Sequence, residues 1–320
     1  MNNQILDIEK PLIELENKID ELKKVTSEGK INLAKEIKLL EAKAEKLKND
    51  LYANLSPWDR VLIARHVKRP TTMNYIKELF SDFFELHGDR LLRDDPAIIT
   101  GLATFAGRTV VVMGHQKGKD MKENLVRNFG MVNPEGFRKA ARLMRFAEKF
   151  NHPLIMFVDT PGAYPGIEAE EKGQYEAIAQ NIALLMRLKV PVIVVVIGEG
   201  GSGGALAIGV GDRVIMLENS IYSVISPEGC ASILWRDASL ANKAAEALKL
   251  TARDLIGLGI IDVIIPEPLG GIHRDPLFVF DKLKDTLIDE ITRLSELSVN
   301  DLLKNRYNKY RKMAVFTDKK

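Results

Sequence analysis

Apolar residues open the chain at alternating spacings of three and four: Leu12, Leu15, Ile19 and Leu22, then Leu33, Ile37, Leu40, Ala44, Leu47 and Leu51, with charges between them. That spacing lays each set along one stripe of a helix. Thr26-Ser27-Glu28-Gly29 interrupts the two runs and Pro11 suits a first helical turn, so the pattern predicts an antiparallel helical hairpin arm over residues 1–55. A stripe this narrow serves either to brace the fold or to dock a second subunit. Ser56-Pro57-Trp58 then reads as an N-cap followed by proline at the first helical position, in a helix that ends before Arg69-Pro70.

Beyond that point the pattern changes. Short runs rich in Val and Ile at residues 98–105, 109–114, 154–159, 192–197, 213–217, 221–225 and 260–265 predict strands. Helical stretches at 134–150, 173–188, 203–209 and 251–258 separate several of them. The alternation predicts an α/β domain with a buried parallel sheet, placed over residues 56–300. Residues 278–310 read as charged amphipathic helix, and 301–320 are set apart as a charged C-terminal tail.

Composition narrows the partners. Lys and Arg number 46 against 44 Asp and Glu, a net charge of +2 that argues against a dedicated nucleic-acid binder. A single cysteine, Cys230, permits no internal disulfide and no cysteine-rich zinc site, which fits a reducing compartment and a cytoplasmic enzyme. No apolar run reaches the roughly 18 residues needed to span a bilayer, and the first residues lack a signal-peptide pattern.

The richest local signal is the apolar run at 192–197, which enters Gly198-Glu199-Gly200-Gly201-Ser202-Gly203-Gly204 and then a small-residue helix. Three chemistries can claim it. Gly198-x-Gly200-x-x-Gly203, with Glu218 on a later strand, imitates a dinucleotide fingerprint, but it lies in mid-chain and carries more glycines than that turn needs. Gly200-Gly201-Ser202-Gly203-Gly204 satisfies the nucleophile-elbow pattern, with His273 and Asp275 or Asp262 available as partners. The third reading takes the backbone amides at the helix start as the working groups, because glycines let an oxyanion reach them. On that reading a branched side chain at Gly204 is expected to block the amides and leave the assembly intact.

Two other motifs contribute less. Asp159-Thr160-Pro161-Gly162 has the aspartate-to-glycine box of GTPases without the phosphate loop it requires, and reads instead as a rigid loop at a strand end. His66, His87, His115, His152 and His273 show no metal-ligand spacing and read as structural or surface residues.

The stretch Gly198 to Arg213 resembles the alpha subunit of the acetyl-CoA carboxylase carboxyltransferase family. The likeness continues through Glu85-Leu86-His87-Gly88-Asp89-Arg90, Gly114-His115-Gln116-Lys117-Gly118, Asn128-Phe129-Gly130-Met131, Pro134-Glu135-Gly136 and the segments 157–166, 222–230 and 266–276. The resemblance implies a crotonase-like (ClpP/crotonase) fold of repeated ββα units behind the helical arm. It implies transfer of a carboxyl group from carboxybiotin, carried by the biotin carboxyl carrier protein, to acetyl-CoA, giving malonyl-CoA for fatty acid synthesis. It also implies an α2β2 assembly whose beta subunit holds zinc, and a separate biotin carboxylase that uses ATP; this chain itself holds no cofactor or metal. Carried over residue by residue, Gly203, Gly204 and Ala205 are the oxyanion donors and Gly162, Ala163 and Tyr164 the facing wall of the carboxybiotin pocket. The basic segment with Lys117, Lys119, Lys122 and Arg127 is a candidate contact for CoA phosphates or a partner.

Overall fold

The computed structural model describes residues 9–27 and 33–313. Glu28 and Gly29 of the expected helix break, and residues 314–320 of the expected tail, lie outside them. The arm consists of α1 (Lys10–Ser27) and α2 (Ala34–Ala53), joined along their stripes by Leu12, Ile19, Ile37, Ala44 and Tyr52, with the other heptad leucines packed around them. Tyr52 bonds Glu9, and Arg274 of the main domain reaches Glu16, which seats the arm on the rest of the chain.

The main domain starts with α3 (Pro57–Ala64). Its N-cap Ser56 forms a full capping box with Asp59 ahead of Pro57, as the sequence indicates. Next come α4 (Thr72–Leu79), β1 (Ser81–Glu85), β2 (Ile98–Phe105), β3 (Arg108–His115), α5 (Met121–Val126), α6 (Pro134–Phe150), β4 (Leu154–Thr160), α7 (Ile167–Glu171), α8 (Gln174–Arg187), β5 (Val192–Gly201) and α9 (Ser202–Leu206). The chain continues through β6 (Arg213–Leu217), β7 (Ile221–Ser223), α10 (Pro227–Trp235), α11 (Ala241–Leu248), α12 (Ala252–Gly257), β8 (Val263–Ile265), α13 (Pro276–Ser295) and α14 (Val299–Arg311). Among the described residues no helix is long and apolar enough to cross a membrane.

The sheet runs β1-β2-β3-β4-β5-β6-β8, with β7 attached to β5. Its second half, from β3 onward, is parallel as expected, whereas β1, β2 and β3 are antiparallel. The reason is local: Ala106 and Gly107 both take positive φ between β2 and β3, the two-residue turn that matches the twist of a hairpin. β5 supplies the centre of the core. Val192, Val194 and Val196 face one cluster with α6 and α8, while Ile193, Val195 and Ile197 face the other with α4 and α13.

Two expectations change here. β5 does not stop at Ile197 but runs through the glycines to Gly201, because its end changes neighbour: residues 193–196 pair with β6 and residues 199–201 with β7. Gly200 is needed there, since a side chain would enter the Tyr222 ring of β7. The stretch 278–310 is two helices, α13 and α14, with the break at Glu296–Ser298, and Ser298 caps α14. Residues 301–311 lie in α14, which packs on the domain through the fully buried Arg306.

Candidate active site

The strand ends converge at the C-terminal edges of β4 and β5. β4 delivers Asp159 and the loop 161–166; β5 delivers Glu199 and the glycine turn. The loop is held in place by short bonds: Thr160 Oγ1 donates to the Gly162 carbonyl at 2.7 Å, Tyr164 N–H donates to the Val132 carbonyl at 3.1 Å, and Gln174 Nε2 donates to the carbonyls of both Val132 and Tyr164. The turn begins with Ser202, which adopts φ 53° at the strand-to-helix junction, a conformation that costs about 1–2 kcal/mol for a residue with a Cβ. The first N–H groups of α9 then have no acceptor within the helix.

Gly203 and Gly204 differ sharply. A Cβ on Gly203 would meet only Ile178, at 3.7 Å, in ordinary contact. A Cβ on Gly204 would press into the main-chain atoms of Gly162 and Ala163. The two segments that the sequence assigns to the donors and to the facing wall are therefore in backbone contact, and Gly204 is the glycine that allows it. Ala205 is fully buried and Tyr164 half-buried. A side chain at Gly204 therefore meets main chain, which cannot rotate away, and strains this subunit as well as covering the amides.

Two cavities flank the turn. One, of about 330 Å³, is lined by Ser202, Gly203, Leu206, Tyr222, Val224, Leu255, Ile260, Tyr310 and Met313. No histidine or carboxylate lines it, so the elbow serine faces apolar groups; His273 stacks instead on His66 at 3.9 Å between ring centroids. The other cavity, of about 740 Å³, lies beside Asp159 and Glu199 and is also lined by Arg65, His66, Arg69, Lys117, Lys119 and Phe129.

The larger cavity is bordered by a chain of matched charges that the sequence reading did not assemble. Lys117 Nζ pairs with Asp159 at 2.7 Å, Arg65 donates to Glu199 at 2.6 Å, and its other arm pairs with Glu228 at 2.6 Å. Deeper still, Arg69 donates to the Ile197 carbonyl and forms a fork on the buried Glu267. Lys117 is thus already neutralised by carboxylates, and Arg127 donates to the Pro96 carbonyl at 2.8 Å; Lys119 lines the cavity. The available signal was a charged residue inside an apolar run, as at Asp159, Glu199 and Glu267, where burial demands a partner. Among the described residues no group of three or more His, Cys, Asp or Glu could hold a metal ion.

His115, at the end of β3, lies beneath this junction and is completely buried. Its Nδ1 accepts the Asp159 N–H at 3.4 Å, so the neutral ring carries its hydrogen on Nε2. Burial pushes its pKa down to about 4. An unfolded histidine takes up its proton near pH 6.5, so between about 6.5 and 4 the unfolded chain binds more protons and stability falls as pH falls. At full slope this ring removes about 1.4 kcal/mol per pH unit. Urea unfolding at pH 7 and pH 5 should show a loss that is smaller, by about 2 kcal/mol, in His115→Gln. Equal losses in the two proteins would exclude a buried neutral His115.

The acetyl co-enzyme A carboxylase carboxyltransferase-like family model matches residues 5–314. An acetyl-coenzyme A carboxylase carboxyl transferase subunit alpha from Anoxybacillus flavithermus is 58% identical over 313 residues, covering 98% of this chain and 96% of its own. Its counterpart in Halalkalibacterium halodurans is 56% identical over 312 residues, 98% of this chain and 96% of its own. Among solved structures, transcarboxylase 12S aligns with TM-score 0.55 and 22% identity over 68% of this chain, which spans 41% of that longer one. A Pseudomonas malonate decarboxylase heterodimer aligns with TM-score 0.56 and 20% identity, over 68% of this chain and 89% of its own. These likenesses show the crotonase-like fold.

Proposed function

The chain belongs to the acetyl-CoA carboxylase carboxyltransferase family, alpha-subunit type, and from that premise we propose that its share of the reaction is carried by the Gly203–Gly204–Ala205 turn against the Gly162–Ala163–Tyr164 loop. The reaction moves a carboxyl group from N1 of biotin to the methyl carbon of acetyl-CoA, giving malonyl-CoA. The observation that supports the assignment is the contact at Gly204: its backbone meets the main chain of Gly162 and Ala163 at the ends of adjacent strands, where ligands of α/β sheets bind.

Both carbonyl oxygens, that of the ureido group and that of the thioester, gain negative charge on the way to the transition state. Fixed amide donors stabilise such charge without solvent rearrangement, each contributing about 3–4 kcal/mol by analogy with known oxyanion holes. No side-chain nucleophile is required. In the same reading carboxybiotin arrives as a substrate on the biotin carboxyl carrier protein after ATP-dependent loading by biotin carboxylase. A zinc-holding beta subunit completes the site in an α2β2 enzyme of the cytoplasm. In this reading α1 and α2 form an arm beside the catalytic domain, and α14 belongs to that domain. Within the basic segment, Lys119 lines the larger cavity and is the candidate contact for a CoA phosphate in this reading.

The test is Gly203→Val in the complex with a beta-type subunit, assayed by malonyl-CoA-dependent carboxylation of biotin. The added Cβ meets only Ile178, in ordinary contact, so assembly and melting temperature should stay close to the parent, while turnover falls about 100-fold as the amides are covered. Parental turnover in the intact complex would sink the assignment.

A further inference from the structure

The pairing of β4 with β5 breaks just before the site. Val158 pairs with Val196 and Thr160 with Gly200, so Asp159 alone stands opposite Ile197, Gly198 and Glu199. A bulge of this kind leaves backbone groups without ladder partners, and here side chains take two of them. Arg69 Nε donates to the Ile197 carbonyl at 2.6 Å, and the Glu199 N–H donates to Asp159 Oδ1 at 3.0 Å. Lys117 Nζ reaches the same carboxylate oxygen at 2.7 Å and stands 3.8 Å from Glu199 Oε2, so one ammonium serves two buried acids. Gly198 makes room for the arrangement, because a Cβ there would fall 2.5 Å from Asp159 Oδ1. Beyond the bulge the two chains leave no tolerance for slip. Gly201 lies against the main chain of Pro161 and Gly204 against that of Gly162 and Ala163, so a shift of β5 by one residue would set Ser202 where only glycine fits.

We propose that Asp159 is a positioning residue for carboxyl transfer: its carboxylate straps the bulge between β4 and β5 and so sets the spacing and register of the glycine turn against the loop 161–166. The strap sits close to both walls, since Asp159 is followed by Thr160 and the loop, and Glu199 by two glycines and the turn. A carboxylate suits the task because it only accepts: one oxygen takes a backbone N–H and an ammonium together, and the group offers no donor to compete for the neighbouring carbonyls. Lys117 balances the charge that the strap brings into the protein. In this role Asp159 acts on the two backbone walls and not on the substrate. The inference rests on the oxyanion reading of the glycine turn, because only there does the register of the Gly203, Gly204 and Ala205 amides matter for rate.

Three variants separate the hydrogen bond from the charge. Asp159→Asn keeps an acceptor for the Glu199 N–H and removes the charge, with Glu199 still at hand for Lys117; Asp159→Ala removes both. Gly198→Ala keeps the carboxylate but pushes it off the Glu199 amide. In the assembled enzyme, Asp159→Ala and Gly198→Ala should lower kcat about 100-fold with the KM for acetyl-CoA changed less than about twofold, whereas Asp159→Asn should stay within about fivefold of the parent. Hydrogen exchange should show the Glu199 amide losing protection in both alanine variants and keeping it in Asp159→Asn. Should Asp159→Ala fail to assemble, the other two decide alone. Asp159→Asn impaired as severely as the alanine variants would overturn the proposal, since charge and not the bond would then matter. Parental kcat in the alanine variants, with or without loss of protection, would overturn it as well. The oxyanion reading fails on a different result, parental turnover in Gly203→Val, so the two failures are distinguishable.

Discussion

Gly204→Ala is expected to lower carboxyl transfer about 100-fold and to lower the stability of the subunit at the same time. The added methyl group falls on main-chain atoms of Gly162 and Ala163, which belong to a loop held by Thr160, Gln174 and the Val132 carbonyl. Neither side can yield by changing a rotamer, so one segment must move. Overpacking of this kind costs about 1–3 kcal/mol, and a displacement near 1 Å between the walls of a site costs about 100-fold in rate even when every group is present. Both penalties act at once in this variant. Gly203→Val is the internal control, because a Cβ there meets Ile178 and not the loop. Urea unfolding and transfer assays on the two variants should therefore show loss of rate in both and loss of stability in Gly204→Ala alone. A Gly204→Ala protein that unfolds at the parental midpoint would show that the loop does not rest on the turn.

That contrast also marks what was legible in the sequence. The heptad stripe of the arm, the Ser56 capping box and the Val/Ile runs of β4, β5 and β6 are local patterns, and they appear as local structure. The hairpin of β2 and β3 had a signal in Ala106-Gly107, but β1 (Ser81–Glu85) had none, since an edge strand facing solvent needs no apolar alternation. The end of β5 was hidden for a different reason. Glycines at 198, 200 and 201 suggest a turn, yet here they serve a strand crowded by Asp159, the Tyr222 ring and the Pro161 main chain. Which glycine the chain needs for crowding and which it leaves open is a property of the neighbours, and Gly203 and Gly204 are indistinguishable until Gly162 is in place. The same holds for Lys117: the basic segment is plain in the sequence, and its neutralisation by Asp159, 42 residues away, is not.

Arg306 carries the largest expected stability effect and the clearest case of a residue whose role the sequence conceals. It falls in the stretch that reads as charged tail, yet its guanidinium is fully buried and donates to the carbonyls of Leu185, Leu188 and Val190 and to both oxygens of Asp212, at 2.6–3.0 Å. The first of these carbonyls belongs to the last turn of α8, where a cation complements the helix dipole, and the other two lie in the connection to β5. Asp212 also accepts the N–H of Val192, the first residue of β5. α14 thus clamps the entrance of the strand whose far end forms the glycine turn. Arg306→Met leaves Asp212 as a buried, unmatched carboxylate and strips donors from three carbonyls, which should cost about 3–5 kcal/mol. The double variant Arg306→Met, Asp212→Asn removes the stranded charge and should recover part of that loss. A change below about 1 kcal/mol in the single variant, measured by urea unfolding, would contradict the clamp. The consequence reaches function through Tyr310, whose hydroxyl bonds Gly211, and through Met313, since both line the apolar cavity beside Gly203. Loosening α14 removes one wall of that cavity, so turnover in Arg306→Met should fall at temperatures well below its unfolding transition, while the arm and α3 at the other end of the chain keep their hydrogen-exchange protection.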